Sequence, residues 1–259
     1  MTSFLKRAVT GIFLLFVLIL VAFLDRWALF VLLLFLSNVG LYELCHCLGI
    51  RKKYSLYFFN CLLQTAAFFN ERSYYFISLL LFLLYHLILF TFTTKKENTL
   101  EELTLTIFTY FYISLLFSFL LLFHQERQFE ILLVFVAAWG TDTFAYLSGM
   151  LFGRHPLIPR ISPKKTWEGS IGGSIASVIL AFFLQPYLVP ELDRTYVLLI
   201  ILFASIMGQC GDLFASRLKR LKGIKDYGSI FAGHGGVLDR FDSVLFAGPV
   251  VWILLFLRG

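Results

Sequence analysis

The segment from residue 216 to residue 242 combines cations, glycines and carboxylates more densely than any other part of the chain. Five cations fall within nine residues: Arg217, Lys219, Arg220, Lys222 and Lys225. The glycines that follow permit positive φ angles and expose backbone N–H groups to an anion. Asp239 and Asp242, three residues apart, would share one face of a helical turn. Carboxylate oxygens at that spacing suit Mg²⁺ that is also held by the phosphates of a substrate.

A simpler interpretation of the five cations is a basic patch that binds anionic lipid at a membrane surface. Such a patch explains neither the glycines nor the paired carboxylates. His234, which lies between two glycines, could contact a phosphate or only cap the turn. We therefore predict a site for a phosphate-bearing substrate in this segment.

A second polar segment, residues 160–169, reads Arg-Ile-Ser-Pro-Lys-Lys-Thr-Trp-Glu-Gly. Ser162 could cap a helix whose first residue is Pro163. A phosphate at that helix start would meet backbone N–H groups together with Lys164 and Lys165. A membrane anchor of positive charge would explain the two lysines but not the run as a whole.

Three carboxylates lie inside apolar runs: Glu43, Asp142 and Asp212. Ionisable groups in lipid are costly and are functional candidates by default. We expect Asp142 and Asp212 to meet a cation, because each lies on or beside a helix face of small residues at the membrane edge. For Glu43 two interpretations stay open, a helix-end charge that reaches water and a residue of the site.

Small residues at spacing four mark three helix faces where neighbours could approach closely. These faces carry Ala137, Thr141, Ala145 and Gly149; Gly169, Gly173 and Ser177; and Ala204, Gly208, Asp212 and Ser216. Close helix packing accounts for the small residues themselves, and the carboxylates are the exception.

The composition determines which kind of fold must position these groups. Of the 259 residues, 59% are hydrophobic, 15% are charged and 31 are Phe, whereas soluble domains average about 45–50% apolar and about 25% charged residues. A soluble fold of this size cannot bury so much apolar surface, and a disordered chain would not contain it. A β-barrel would show short alternating strands, but the apolar runs here are long and unbroken. We predict an all-α, polytopic helical integral membrane protein.

Hydropathy predicts about nine spans of about 20 residues. Their ranges are 8–24, 27–48, 54–69, 73–93, 103–123, 129–151, 170–188, 195–214 and 244–257. The first run resembles a signal peptide but lacks a small-residue cleavage site, so we expect a retained helix. The chain thus divides into N-terminal helices, 1–128, and a catalytic region, 129–259, with loops at 152–169 and 215–243.

The distribution of basic residues predicts the orientation. With the N-terminus inside, only Arg26, Arg72, Arg127, Arg194 and Arg258 lie on the outer side, and the other 17 of the 22 Lys and Arg lie inside. This matches the positive-inside rule at every loop. The net charge of +6 is therefore a topology signal, and with no nucleic-acid motif we expect no nucleic-acid partner.

Most other known functional motifs are absent from the sequence. Cys45, Cys47, Cys61 and Cys210 form no CxxC pair, and we expect free thiols. No P-loop, G-x-S-x-G or H-E-x-x-H motif occurs. The lack of an internal repeat weakens the case for a transporter that uses Asp142 and Asp212 as coupling sites.

The run from Ser216 to Asp242 closely resembles the signature of the phosphatidate cytidylyltransferase, or CDP-diacylglycerol synthase, family. The matching residues are Ser216, Leu218, Lys219, Arg220, Lys225, Asp226, Gly228, Phe231, His234, Gly235, Gly236, Val237, Asp239, Arg240, Phe241 and Asp242. One loop position departs, since Ala232 stands where Pro or Gly is usual. Residues 142–146 and 162–169 also resemble the family, so the likeness extends over about residues 137–248.

The resemblance implies transfer of the cytidylyl group of CTP to phosphatidate with Mg²⁺, in a bacterial inner membrane or its equivalent. The number of carboxylates leaves room for a second cation, which the sequence does not identify. The resemblance also implies a polytopic protein, able to form a homodimer, whose active site faces the cytoplasm. The predicted metal ligands are Asp212, Asp239 and Asp242, and the predicted catalytic residues are Asp212, Asp239, Lys225 and Arg240. The predicted substrate-binding residues are Asp142, Lys164, Lys165, Ser216, Lys219, Arg220, Asp226, His234, Gly235 and Gly236.

A related activity stays open as the nearer alternative, namely a CTP-dependent polyprenol kinase. Enzymes that join CDP-lipids to alcohols carry D-G-x-x-A-R…G-x-x-x-D-x-x-x-D, which is absent from this sequence.

Overall fold

The computed structural model describes residues 25–50, 53–93, 99–123, 129–230 and 235–258. Long helices make up most of these ranges. They are α1 (Arg26–Leu48), α2 (Lys53–Phe69), α3 (Arg72–Phe92), α4 (Leu100–Leu122), α5 (Glu130–Phe152), α6 (Trp167–Leu188), α7 (Arg194–Leu221) and α8 (Leu238–Leu257). Two short strands, β1 (Pro156–Ile158) and β2 (Ser162–Thr166), lie between α5 and α6.

Seven of the described helices are long and apolar enough to cross a membrane. The exception is α2, whose 17 residues are fewer than the about 20 that a straight span needs. The prediction of an all-α, polytopic membrane protein is confirmed. The first predicted span, 8–24, lies outside the described residues, so the count of nine and the orientation of the N-terminus stay predictions.

Two helices extend beyond the apolar runs that predicted them. Helix α7 continues from the predicted end at residue 214 to Leu221, and α8 begins at Leu238 instead of residue 244. Hydropathy detects only the lipid-facing length, and the extra turns carry polar residues such as Ser216, Lys219, Asp239, Arg240 and Asp242. The connection between the two helices is therefore residues 222–237, shorter than the predicted loop of 215–243.

The segment before α6 is a β-hairpin, and the predicted helix start at Ser162 and Pro163 is wrong. In the hairpin, Pro156 pairs with Thr166 and Ile158 pairs with Ser162 in an antiparallel arrangement. A residue before proline is pushed towards extended backbone, which favours a strand at Ser162. The helix begins only at Trp167, where the Thr166 hydroxyl caps it by accepting the N–H of Gly169 at 3.1 Å. The lysines therefore lie on the strand, before the helix.

Helices α5 and α6 approach closely at the small residues identified in the sequence. A Cβ added at Gly173 would lie 2.7 Å from Cβ of Ala145, and one at Gly169 would lie 2.8 Å from the Ala145 carbonyl oxygen. The hydroxyls of Thr141 and Ser177 share a hydrogen bond of 2.8 Å one turn deeper. The predicted packing role of these two small-residue faces is confirmed.

Buried polar side chains join α1 to α2 and α2 to α4. The Asn60 amide donates to the Ser37 hydroxyl at 3.0 Å, and the Gln64 amide donates to the Ser114 carbonyl at 2.9 Å. Ser114 lies in a π-helical segment of α4, Tyr110–Leu115; such a segment interrupts the regular α-helical bonding. The bond at Ser37 helps to hold α1 in place, and the C-terminal part of α1 carries Glu43, which contacts the start of α8.

Candidate active site

One cavity of about 580 Å³ collects residues from α5, the hairpin, α6, α7 and α8. Its charged and polar lining includes Asp142, Ser162, Lys164, Lys165, Gln209, Asp212, Asp239, Arg240 and Asp242. Its apolar lining includes Ala145, Tyr146, Met150 and Leu157. The volume suits a small-molecule ligand. The lining thus combines charged and apolar side chains, which a ligand with an ionic head and an apolar tail requires.

Asp212 meets a cation, as the sequence predicts, and the cation comes from the hairpin. The Lys165 ammonium forms an ion pair with one carboxylate oxygen of Asp212. The Ser216 hydroxyl, one turn further along α7, donates to the other oxygen at 3.3 Å. This contact fixes β2 against the end of α7 and carries a positive charge into the cavity.

The protonation state of Lys165 follows from its surroundings. Burial alone would lower the pKa of its ammonium. The carboxylates of Asp212, Asp142 and Asp242 act in the opposite direction and together raise the pKa above its ordinary value. Lys165 is therefore a fixed positive charge at neutral pH.

Asp239 is held at the start of α8 by three donors. The Lys219 ammonium lies 2.6 Å from one carboxylate oxygen, and the backbone N–H groups of Tyr227 and Gly236 donate to the other at 2.8 and 2.9 Å. The side chains of Lys219 and Asp239 are only 13% and 5% exposed. Asp239 thus binds Tyr227 and Gly236 of the 222–237 connection and also lines the cavity.

Asp142 on α5 and Asp242 on α8 are both hydrogen-bonded by Ser243. The Ser243 hydroxyl donates to Asp142 at 3.0 Å, and the Ser243 N–H donates to Asp242 at 2.8 Å. Asp242 is buried and lies close enough to Asp212 and Asp142 for the charges to repel one another. Asp142 therefore has a hydroxyl as its hydrogen-bond donor, and the charges of Lys165 and Arg240 also act on it.

The predicted metal ligands share the cavity without forming a preassembled cluster. Asp212, Asp239 and Asp242 all line it, and the predicted helical turn that carries the last two is confirmed. Within the described ranges, no group of three His, Cys, Asp or Glu side chains is arranged to hold a metal ion. The donor set nonetheless fits Mg²⁺, because hard carboxylate oxygens that repel one another line a space large enough for phosphates.

Tyr227 is a buried residue of the connection that sequence reasoning missed. Its hydroxyl donates to the Ala215 carbonyl at 3.0 Å, and Lys219 lies over its ring at 5.3 Å. Burial, together with Cys47, Asp239 and Asp242, raises the pKa of the hydroxyl far above its ordinary value. Tyr227 is thus a neutral anchor that ties the connection to α7.

Of the other predicted site residues, some line the cavity and others do not. Arg240 and Lys164 line the cavity, whereas Arg220 points to the hairpin, with its Nε 3.5 Å from the Ile161 carbonyl oxygen. Lys225 and Asp226 are exposed and are not among the residues that line the cavity. His234 lies outside the described residues.

The glycines of the connection differ from the prediction of open anion donors. Gly235 has φ +82°, as predicted. The N–H of Gly236 is already bonded to Asp239, and neither Gly228 nor Gly236 has a positive φ. Substrate binding by Gly235 and Gly236 stays a prediction, but the Gly236 N–H is engaged within the protein.

Glu43 is buried, with 3% exposure, and does not reach water. Its two carboxylate oxygens accept the N–H groups of Val237 and Leu238, each at 2.9 Å. The sequence flagged the buried charge but offered no sign of these partners, because they lie 194 and 195 residues away.

Comparison with known proteins adds a family likeness over nearly the whole chain. A family model described as the cytidylyltransferase family matches residues 5–258. The phosphatidate cytidylyltransferase of Bacillus subtilis (strain 168) is 40% identical over 174 residues, which is 65% of each chain. Those of Staphylococcus saprophyticus and Staphylococcus aureus (strain COL) are 38% and 39% identical over 65% and 64% of each chain. The alignments thus span a little under two thirds of these curated relatives.

Proposed function

Since the chain belongs to the cytidylyltransferase family, we propose that it transfers the cytidylyl group of CTP to phosphatidate, forming CDP-diacylglycerol and pyrophosphate. The three relatives carry the name of that activity. The single observation that carries the proposal is the cavity itself, in which four carboxylates and three cations share one space with apolar side chains. The cations would complement the phosphates of a nucleoside triphosphate and of a lipid headgroup, and the apolar side chains would contact the lipid.

The reaction needs positioning more than proton transfer. An oxygen of the phosphatidate phosphate attacks the α-phosphorus of CTP, the new P–O bond forms, and the bond to pyrophosphate breaks. The attacking phosphate is already anionic near pH 7, so no strong general base is required. In such reactions positioning and charge neutralisation dominate.

Three cations of the cavity wall suit the anionic groups. Lys165, which is held protonated by its carboxylate neighbours, and Lys164 and Arg240 beside it would offset phosphate charge. Asp212 and Ser216 would hold Lys165 in place while the substrates bind. The apolar part of the wall, at Tyr146 and Met150, would accommodate the part of phosphatidate nearest its headgroup.

Asp212, Asp239 and Asp242 would hold Mg²⁺, and the fourth carboxylate, Asp142, leaves a place for a second cation. When bound, the metal offsets triphosphate charge and orients the phosphates. Asp239 would also keep its bonds to the connection, since its carboxylate can accept about four hydrogen bonds and three are in use.

The proposal includes a location and partners. We expect the active site to face the cytoplasm of a bacterial inner membrane, because the two site segments, 152–169 and 215–243, carry 10 of the 22 Lys and Arg residues. CTP and membrane phosphatidate are the expected substrates. A homodimer is consistent with the family resemblance, and no nucleic acid is expected.

The decisive experiment measures pyrophosphate release by the purified protein in lipid nanodiscs. Release from CTP is expected only when phosphatidate and Mg²⁺ are both present, with CDP-diacylglycerol as the lipid product. Asp212→Asn is the inactive control. A polyprenol kinase would instead yield CDP and a phosphorylated alcohol, and a transporter would leave CTP unconsumed; either result would refute the proposal.

A further inference from the structure

The start of α8 is capped by a residue from the other end of the sequence. The first N–H groups of a helix have no partner within the helix. Those of Val237 and Leu238 donate to the two oxygens of Glu43, each at 2.9 Å. A carboxylate at this position is also favoured by the helix dipole. Glu43 therefore fixes where and in what direction α8 begins.

The adjacent residues of α8 are those that line the cavity. Asp239, Arg240 and Asp242 follow within one turn of the capped N–H groups. Asp239 in turn binds the N–H groups of Tyr227 and Gly236. Glu43 thus acts on the orientation of the carboxylates, and through Asp239 on Tyr227 and Gly236, although Glu43 does not itself line the cavity.

Two glycines of the connection leave space for the Glu43 side chain. At Gly228 and at Gly236, the three heavy atoms nearest to an added Cβ all belong to Glu43, and the closest would clash. Neither glycine has a positive φ, so backbone conformation alone does not require glycine there. The requirement is space for the carboxylate.

We propose that Glu43 is a positioning residue of the active site, and that Gly228 and Gly236 are glycines because its carboxylate packs against their backbone. The catalytic role of this arrangement rests on the proposed cytidylyl transfer. The contact itself does not, and the two can be tested separately.

The first test is hydrogen exchange in nanodiscs, which needs no activity. Glu43→Gln retains one acceptor oxygen, and Glu43→Ala retains none. We expect faster exchange in the peptides that cover Val237 and Leu238, in the order Ala, Gln, wild type, and unchanged exchange in α3. Glu71→Gln, at an exposed carboxylate, is the matched control. Unchanged exchange at residues 237 and 238 in both variants would overturn the proposal.

The second test separates positioning from binding. Glu43→Gln should lower kcat on the order of 10- to 100-fold, since small misplacements of catalytic groups have effects of that size. The KM for CTP should change less than about threefold, because Glu43 does not line the cavity. A raised KM with unchanged kcat would overturn the positioning role. A wild-type protein without cytidylyl transfer would refute the proposed function and leave the exchange result to decide the contact.

The third test is a double-mutant cycle in the glycines. Gly236→Ala should be strongly destabilising in the wild type but nearly neutral in Glu43→Ala, because the side chain that it would clash with is gone. Gly223→Ala is the control: its φ is +67° and nothing lies within 4 Å of the added Cβ, so its effect should be the same in both backgrounds. Additive effects of Gly236→Ala and Glu43→Ala would show that Glu43 is not the reason for the glycine.

Discussion

The Lys219 ammonium lies 2.6 Å from a carboxylate oxygen of Asp239, and this ion pair joins the last turn of α7 to the first turn of α8. Each charge sits at the helix end whose dipole favours it. Both side chains are nearly buried, so removal of one partner leaves the other charge poorly compensated. The pair therefore holds together the two helix ends between which the 222–237 connection runs.

Lys219→Met should therefore destabilise the protein by about 3–5 kcal/mol, because it leaves the Asp239 charge buried without its cation. The measurement is thermal unfolding in detergent, followed by loss of the monodisperse peak. Lys222→Met, three residues away and exposed, is the matched control and should change stability little. Equal stability of the two variants would contradict a structural role for the pair.

The metal prediction concerns Asp212, Asp239 and Asp242. Each change to Asn should abolish most turnover while the protein still inserts, and the losses should be non-additive because the three serve one site. Raised Mg²⁺ should partly rescue Asp242→Asn, whose carboxylate forms no ion pair with the described residues. It should not rescue Asp212→Asn or Asp239→Asn, whose carboxylates also bind lysines.

The outcome that counts against this metal site is specific. If Asp239→Asn retains near-normal turnover that EDTA still inhibits, Asp239 is not a ligand. Its role would then be confined to the bonds with Lys219, Tyr227 and Gly236.

The raised pKa of Lys165 predicts how its contribution to stability depends on pH. A cation whose folded pKa lies above its unfolded value stabilises the protein fully below the unfolded pKa, about 10.4 for lysine. That contribution is lost as pH rises through the folded pKa. The difference in melting temperature between the wild type and Lys165→Met should stay constant from about pH 7 to 9 and shrink above about pH 10.4. A difference that already shrinks near neutral pH would mean that the pKa is lowered.

The exposed lysines of the connection provide a matched pair. Lys225→Ala should lose more turnover than Lys222→Ala, because Lys225 occupies a position of the family signature and Lys222 does not. Steady-state kinetics with CTP and phosphatidate compares them directly. Equal losses would indicate that the connection acts as a general basic patch at the membrane surface.

The orientation can be tested with single cysteines in a variant that lacks Cys45, Cys47, Cys61 and Cys210. Cysteine at Lys96 or Lys165 should be labelled only from the cytoplasmic side, and at Arg72 or Arg127 only from outside, as the positive-inside rule requires. An impermeant maleimide on intact cells and on inverted vesicles distinguishes the two sides. Labelling of residue 165 from outside would overturn the proposed location of the site.

The sequence by itself determined the class of the protein and the position of its helices. Hydropathy is summed over neighbouring residues, so α1 to α6 could be placed within about three residues. The same local reasoning identified Asp142 and Asp212, because a charge in an apolar run is conspicuous without knowledge of its partner. The small-residue face at Gly169 and Gly173 also follows from helical spacing alone.

Only the tertiary structure decided which groups meet. The pairs Lys165–Asp212 and Glu43–Val237 join residues 47 and 194 positions apart, and their contact depends on how the helices pack. Gly236 shows the same limit, since the sequence analysis assigned it to substrate binding, whereas a side chain from α1 occupies the space beside it and beside Gly228. Local patterns determine whether a segment is helical and which side chains are costly to bury. The partner that offsets that cost is a property of the packed bundle.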